Sequence, residues 1–198
     1  MKVLLATANR GKLTELRELL KETGLEFALP TEAGFTLPRV EETGTTYEAN
    51  ALLKARALAS LTGLPALADD SGLEVDALGG APGVRSARFA GEGTTDEANN
   101  RKLLASMAGR TDRKARFRCV LVLAWPAGET LSAEGSWEGE IGTESRGSHG
   151  FGYDPVFVLP DSRHAAELNQ EEKRRLSHRA KAARRLADLL KKKGGAVG

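Results

Sequence analysis

The run ARFRCVLVLAW (115–125) constrains this fold more than any other stretch, because it is the most apolar strand candidate in the chain. PAGE then turns it into TLSAEGSWEGEIG, which reads as an antiparallel partner. Strand-like and helix-like segments interleave on either side of this hairpin. KVLLA (2–6) reads as a short buried strand, and Leu13, Leu16, Leu19 and Leu20 then recur at helical spacing, with Gly24 as the stop. LEFALP is a second strand and TEAGFTLPRVEETGTT a loop. A helix is expected from Tyr47 to Leu61, with Leu53, Ala57 and Leu61 on its inward face and Gly63 closing it. LPALADDSGLEV reads as a strand ending in acids, and LGGAPGVRSARFAGEG is too irregular for a regular element. Thr95 or Asp96 caps a helix reaching Met107, and SRGSHGFGYDP is a glycine loop before VFVLP. The last helix is expected to turn Leu176, Ala180, Ala183, Ala187 and Leu190 inward. This alternation predicts an α/β protein with a mixed sheet. One domain over 1–193, with a frayed tail at 194–198, follows from the pattern.

The 198 residues suit one domain, or one with two lobes, and 40% hydrophobic content builds a core without staples. A net charge of +2 argues against a dedicated nucleic-acid binder, although EKRRLSHRAKAARRLADLLKKK (172–193) is strongly basic. A single cysteine excludes an intrachain disulfide and a multi-thiolate zinc site, and His149, His164 and His178 lack metal-ligand spacing. No apolar run is long enough to cross a bilayer, and nothing near the start resembles a signal peptide. The expectation is a cytoplasmic protein with no membrane partner.

LLATANRGKLTELRELL (4–20) runs a strand into a polar turn and a helix, the place where phosphate loops occur. It is not a P-loop: Ala6 stands where the first glycine belongs, and Leu13 follows Lys12 where Ser or Thr is required. RELLKETGL (17–25) echoes the tail of a Nudix box, but Lys21 and Glu22 replace its paired acids. What survives is a cluster of Thr7, Asn9 and Lys12 at a helix start, where free N–H groups and the helix dipole attract anions. Asn9 as a plain N-cap, with Lys12 solvated, accounts for the stretch equally well.

Asp69 and Asp70 are adjacent on a strand, so their side chains point to opposite faces and do not converge on one ion. One can face a site while the other bonds into a turn, and Asp-Ser-Gly is itself good turn material. Glu41 and Glu42 form a second acidic group in the loop before the second helix. Magnesium takes one or two carboxylates, so one acid from each group would suit it. GFGYDP (150–155) places two aromatics and an acid among glycines, which suits a planar ligand or an ordinary turn with its rings in the core. His178 and Arg179 are adjacent donors on a basic helix.

The ordered set TANRGK, EETGTTYEANALLKARA, ALADDSGLEVDALGGAPGVRSARFAG, GSHGFGYDPVF and EKRRLSHRAKA is far more specific than any one motif. It resembles the inosine/xanthosine triphosphate pyrophosphatase family, from near residue 3 to near 190. The resemblance implies magnesium-dependent hydrolysis of ITP, dITP and XTP to the monophosphate and pyrophosphate. It implies a homodimer of elongated, two-lobed α/β subunits, each with a central twisted sheet flanked by helices and the nucleotide in a cleft. By matching motifs, Thr7, Ala8, Asn9, Arg10, Gly11 and Lys12 would hold phosphates, with Lys54 assisting. Glu41 and Asp70 would serve Mg2+, Asp70 also as the base that orients water, and Ser71 would contact substrate. Phe151, Gly152, Tyr153 and Asp154 would hold the base, Phe151 by stacking, and Lys173, His178 and Arg179 would complete the pocket. Donors on His178 and Arg179 would bind the 6-carbonyl and be left unpaired by adenine. The alternatives are an enzyme of similar fold acting on modified pyrimidine nucleotides, and a non-catalytic nucleotide sensor.

Overall fold

A computed structural model describes residues 1–194, and the expected tail beyond Gly194 lies outside them. Six strands form one mixed sheet in the order β2-β1-β3-β4-β5-β6. They are β1 (Lys2–Leu5), β2 (Glu26–Ala28), β3 (Ala66–Val75), β4 (Lys114–Ala124), β5 (Thr130–Ile141) and β6 (Phe157–Val158). The helices are α1 (Arg10–Leu19), α2 (Tyr47–Thr62), α3 (Asp96–Ser106), α4 (Gln170–Leu176) and α5 (His178–Gly194). β1 pairs in parallel with β2 (Val3 opposite Phe27) and with β3 (Leu5 opposite Leu67), whereas β5 and β6 are antiparallel. Parallel neighbours require a crossover, which α1 supplies between β1 and β2.

By contacts the chain divides into two compact units. The first comprises residues 1–70, 119–135 and 179 onward, and the second 71–118 and 136–178. Each has its own core. In the first, Val3, Leu5, Leu16, Leu67, Leu121 and Leu186 pack together. In the second, Leu73, Leu103, Phe117, Trp137, Phe157 and Leu168 do so.

Three expectations change. β3 does not end at its acids: it runs extended through Asp69, Asp70 and Ser71 to Val75, so Asp-Ser-Gly makes no turn here. Helix α2 buries Tyr47, Asn50, Ala51, Ala55, Leu58 and Ala59, leaving Leu53 and Leu61 exposed, so the inward face is rotated from the expected one. Small residues can approach a sheet more closely than leucines, and the alanines take that face. The last helix is broken at Ser177 into α4 and α5, which leaves Leu176 exposed while Ala180, Ala183 and Leu186 are buried.

Gly139 on β5 shows how tightly the sheet edge packs. A Cβ there would lie 2.5 Å from the Val158 carbonyl oxygen and 2.6 Å from the Phe157 ring. Gly139→Ala is therefore expected to lower stability by about 1–3 kcal/mol, read by urea unfolding.

Candidate functional site

The order β2-β1-β3 places successive connections on opposite sides of β1, and ligands gather beyond the carboxyl ends of strands at such a switch. The amide of Ala6 donates to the Leu67 carbonyl (2.8 Å), so β3 continues past the end of β1. Asp69 and Asp70 therefore sit beside the turn that begins α1.

Within that turn Asn9 is the N-cap of α1: its Oδ1 accepts from the amides of Gly11 (2.8 Å) and Lys12 (3.2 Å). Thr7 Oγ1 accepts from the Asn9 amide. The capping role is thus realised, and it uses two of the N–H groups that could draw an anion. Lys12 is not a solvated bystander. Its Nζ lies 2.5 Å from Asp69 Oδ1, and Asp69 Oδ2 accepts from Arg179 Nε (2.8 Å) and from Cys119 Sγ (3.3 Å). Arg179 reaches on to Glu15 Oε2 at 2.9 Å. The result is a buried chain of charges, Lys12–Asp69–Arg179–Glu15. Burial pushes Asp69 up, but Arg179 and Lys12 outweigh it and hold the carboxyl well below the usual carboxylate range. Burial likewise works against the Arg179 charge, yet Asp69 and Glu15 raise its pKa.

Asp70 faces different partners, as strand alternation requires. Lys54 Nζ donates to Asp70 Oδ1 (2.6 Å), to Glu42 Oε1 (3.1 Å) and to the Asp69 carbonyl (3.1 Å). Burial raises the pKa of Asp70, Lys54 opposes that, and Glu42 and Asp69 reinforce it. Burial lowers the pKa of Lys54, but Asp70 and Glu42 more than compensate. Two adjacent carboxyls are thus driven in opposite directions, the pattern that separates a fixed anion from a proton acceptor. Glu42, not Glu41, shares Lys54 with Asp70; Glu41 is exposed. The loop bearing both is pinned by Asn50, whose Oδ1 accepts from the Gly44 amide at 2.8 Å.

These acids pass a chemical test for a metal. Two hard oxygen donors, Glu42 and Asp70, converge on one ammonium, and magnesium asks for no more protein carboxylates than that. No cluster of three or more His, Cys, Asp or Glu that could hold a metal ion occurs among the described residues.

The second unit carries the glycine loop. Phe151 is 49% exposed, whereas Tyr153 is buried and its hydroxyl donates to the Ser86 carbonyl at 2.7 Å. One aromatic of the pair is thus presented and the other packed. Asp154 is buried, and its Oδ2 accepts from the Phe151 amide (2.9 Å) and from Lys173 Nζ. That ammonium lies 4.9 Å from the centre of the Phe151 ring. A Cβ on Gly150 would sit on Asp154 Oδ2, so only glycine closes this turn. His178 is buried and stacks on Phe117 with ring centres 4.9 Å apart. Ser71 is half-buried on β3.

Glu15 and Asn50 were not singled out by the sequence as partners of the site, and Glu42 only as one of an acidic pair with Glu41. Asn50 and Lys54 stand one helical turn apart, a spacing that could have paired them with the preceding loop. Nothing local announces the bond between Asp69 and Arg179, 110 residues away.

A model of the Ham1 family matches residues 3–189. The dITP/XTP pyrophosphatase of Thioalkalivibrio sulfidiphilus is 52% identical over 195 residues, covering 96% of this chain and 98% of its own. That of Escherichia coli O157:H7 is 51% identical over 195 residues, with the same shares covered. A HAM1 protein from Coxiella burnetii superposes with a TM-score of 0.89 at 45% identity, covering 97% of this chain and 99% of its own. The Ham1 protein of Staphylococcus aureus gives 0.88 at 39% identity, with 98% and 100% covered.

The depressed Asp69 makes a test with a sign. Its folded pKa lies below its unfolded value, so its stabilisation is complete above about pH 4 and is lost as pH falls through the folded pKa. Asp69→Asn leaves Arg179 buried against one fewer anion and is expected to cost about 3–5 kcal/mol near neutral pH. The difference from wild type should shrink below about pH 4 in urea titrations run across that range.

Proposed function

This chain belongs to the Ham1 family, and we propose that it hydrolyses deaminated purine nucleoside triphosphates (ITP, dITP and XTP) to the monophosphate and pyrophosphate. The observation that carries the reading is the pair of adjacent acids with opposed environments. Asp69 is locked as an anion between Lys12 and Arg179, while burial raises the pKa of Asp70 against the pull of Lys54.

In this reading Asp70 is the base. Burial brings its proton affinity closer to working pH than that of an ordinary carboxylate, which favours proton transfer. It accepts a proton from a water whose oxygen attacks the α-phosphorus. The bond from that phosphorus to the α,β-bridging oxygen breaks, and its electrons leave with pyrophosphate. Lys12, Lys54 and the turn from Thr7 through Ala8, Asn9, Arg10 and Gly11 meet the phosphate charge, about four negative units on a triphosphate. Magnesium, held by Asp70 with Glu42, would neutralise part of that charge and polarise the phosphoryl oxygens. Glu41, on the same loop, is the lesser candidate for that ligand because it is exposed.

Phe151 offers its face to the base, and Asp154, Lys173 and Ser71 supply polar groups. Gly152 lets the backbone approach, and Tyr153 anchors the loop through its buried hydroxyl. For the 6-carbonyl, His178 is the better donor candidate. Arg179 is 1% exposed and already bonded to Asp69 and Glu15, so its role is to hold Asp69 and, through it, Lys12. A cytoplasmic homodimer belongs to the same reading; a monomer mass in sedimentation would remove the dimer from it. No described helix is long and apolar enough to cross a membrane.

The test is product analysis with magnesium and, separately, ITP, XTP, ATP, GTP and dUTP. Pyrophosphate and IMP from ITP, with little turnover of ATP, GTP or dUTP, are expected. Orthophosphate and IDP would overturn the site of attack, turnover of dUTP alone would move the substrate to pyrimidines, and binding without turnover would leave a sensor. Asp70→Asn is expected to lower kcat on ITP by roughly 10²–10⁴-fold with an unchanged far-ultraviolet circular dichroism spectrum.

A further inference from the structure

Gly152 lies at the centre of the glycine loop, next to the exposed Phe151, and both polar groups of its backbone are bonded to one helix. The Gly152 amide donates to Asp96 Oδ2 at 2.7 Å, and Asn100 Nδ2 donates to the Gly152 carbonyl at 2.9 Å. Asp96 and Asn100 stand at i and i+4 on α3, so their side chains lie one above the other and reach the same stretch of chain. All these residues belong to the second unit.

The loop needs such a clamp. Gly150 and Gly152 both have positive φ (80° and 63°), a conformation with little intrinsic preference to hold a neighbouring ring in place. The loop does not pack solidly against α3 either. A cavity of about 510 Å³ is bounded by Gly147–Gly152 on one side and by Asp96, Asn100 and Leu104 on the other. Facing that cavity, the Gly152 backbone is held by these two hydrogen bonds.

Asn100 is also a poor choice for stability alone. It is 6% exposed, and its Oδ1 has no hydrogen-bond partner. A buried, unpaired amide oxygen is a standing cost that an apolar side chain would not carry. The amide cannot turn over to relieve it, because Oδ1 would then face the Gly152 carbonyl oxygen.

We propose that Asp96 and Asn100 are positioning residues that clamp the Gly152 backbone and so set the Phe151 ring for stacking on the substrate base. This rests on the purine nucleotide reading above. Stacking of the base on Phe151 is complete once substrate is bound and does not change as the bond to phosphorus breaks, so the clamp contributes equally to ground state and transition state. Its loss raises KM and leaves kcat in place.

The experiment measures kcat and KM for ITP, melting temperature, and exchange of the Gly152 amide proton by NMR. It compares wild type with Asn100→Leu, Asp96→Ala and Asp96→Asn. Asn100→Leu is expected to melt no lower than wild type, yet to raise KM roughly fivefold with kcat within about twofold. Asp96→Ala is expected to raise KM similarly and to speed Gly152 amide exchange. Asp96→Asn loses the helix-terminal charge but keeps an acceptor oxygen, so it restores both values toward wild type. Unchanged KM in Asn100→Leu and Asp96→Ala overturns the clamp, as does a fall in kcat that tracks a fall in melting temperature. Wild-type protein that leaves ITP intact overturns the reading of the function, and with it any positioning of a base.

Discussion

A buried carboxylate has to be paired, and much of the first unit is arranged around meeting that demand for Asp69. An isolated charge at this depth would cost several kcal/mol. Lys12 comes to it from α1, Arg179 from α5 and a thiol from β4. Each partner belongs to a different element, so the position of each element is tied to one anion. Glu15 then satisfies the far side of Arg179 from one turn further along α1. Replacing the group with apolar residues could match its stability; what the charges add is a fixed position for Lys12, a cation in the first turn of α1.

Helix surfaces do comparable work on the loops. On α2, Asn50 and Lys54 stand one turn apart and bond to Gly44 and Glu42 of the preceding loop. On α3, Asp96 and Asn100 stand one turn apart and bond to Gly152. In both cases an irregular segment is held by side chains from a regular one. A rigid element can thus order a loop without the loop forming regular structure.

The alternation of strands and helices was legible in the sequence because each short element has strong local signals. Asn9 and Thr95 are capping residues that do cap, and Gly24 and Gly63 end their segments in the left-handed conformation. The opposed facing of Asp69 and Asp70 followed from strand alternation alone. Other features depended on tertiary context. Asp-Ser-Gly reads as a turn by composition, but flanking strands keep it extended. Leu53 and Leu61 of α2 point outward while its alanines and Leu58 face inward, a choice that helical spacing cannot make when both faces are apolar. In the acidic loop no periodicity sets Glu41 apart from Glu42; only the folded chain shows that Glu42 is the one that meets Lys54. Arg179 looked like a free donor on a basic helix, and only the folded chain shows it spent on Asp69.

The 110 residues between Asp69 and Arg179 bear on how the protein is made. Synthesis proceeds from the amino terminus, so β1, α1 and β3 emerge long before α5 does. Until then Asp69 has Lys12 but not its guanidinium, and the most buried ion pair of the first unit is missing. Loop closure over so long a separation is slow compared with local contacts. Helix α5 therefore completes the centre: a chain that stops short of it lacks the guanidinium counter-charge for Asp69.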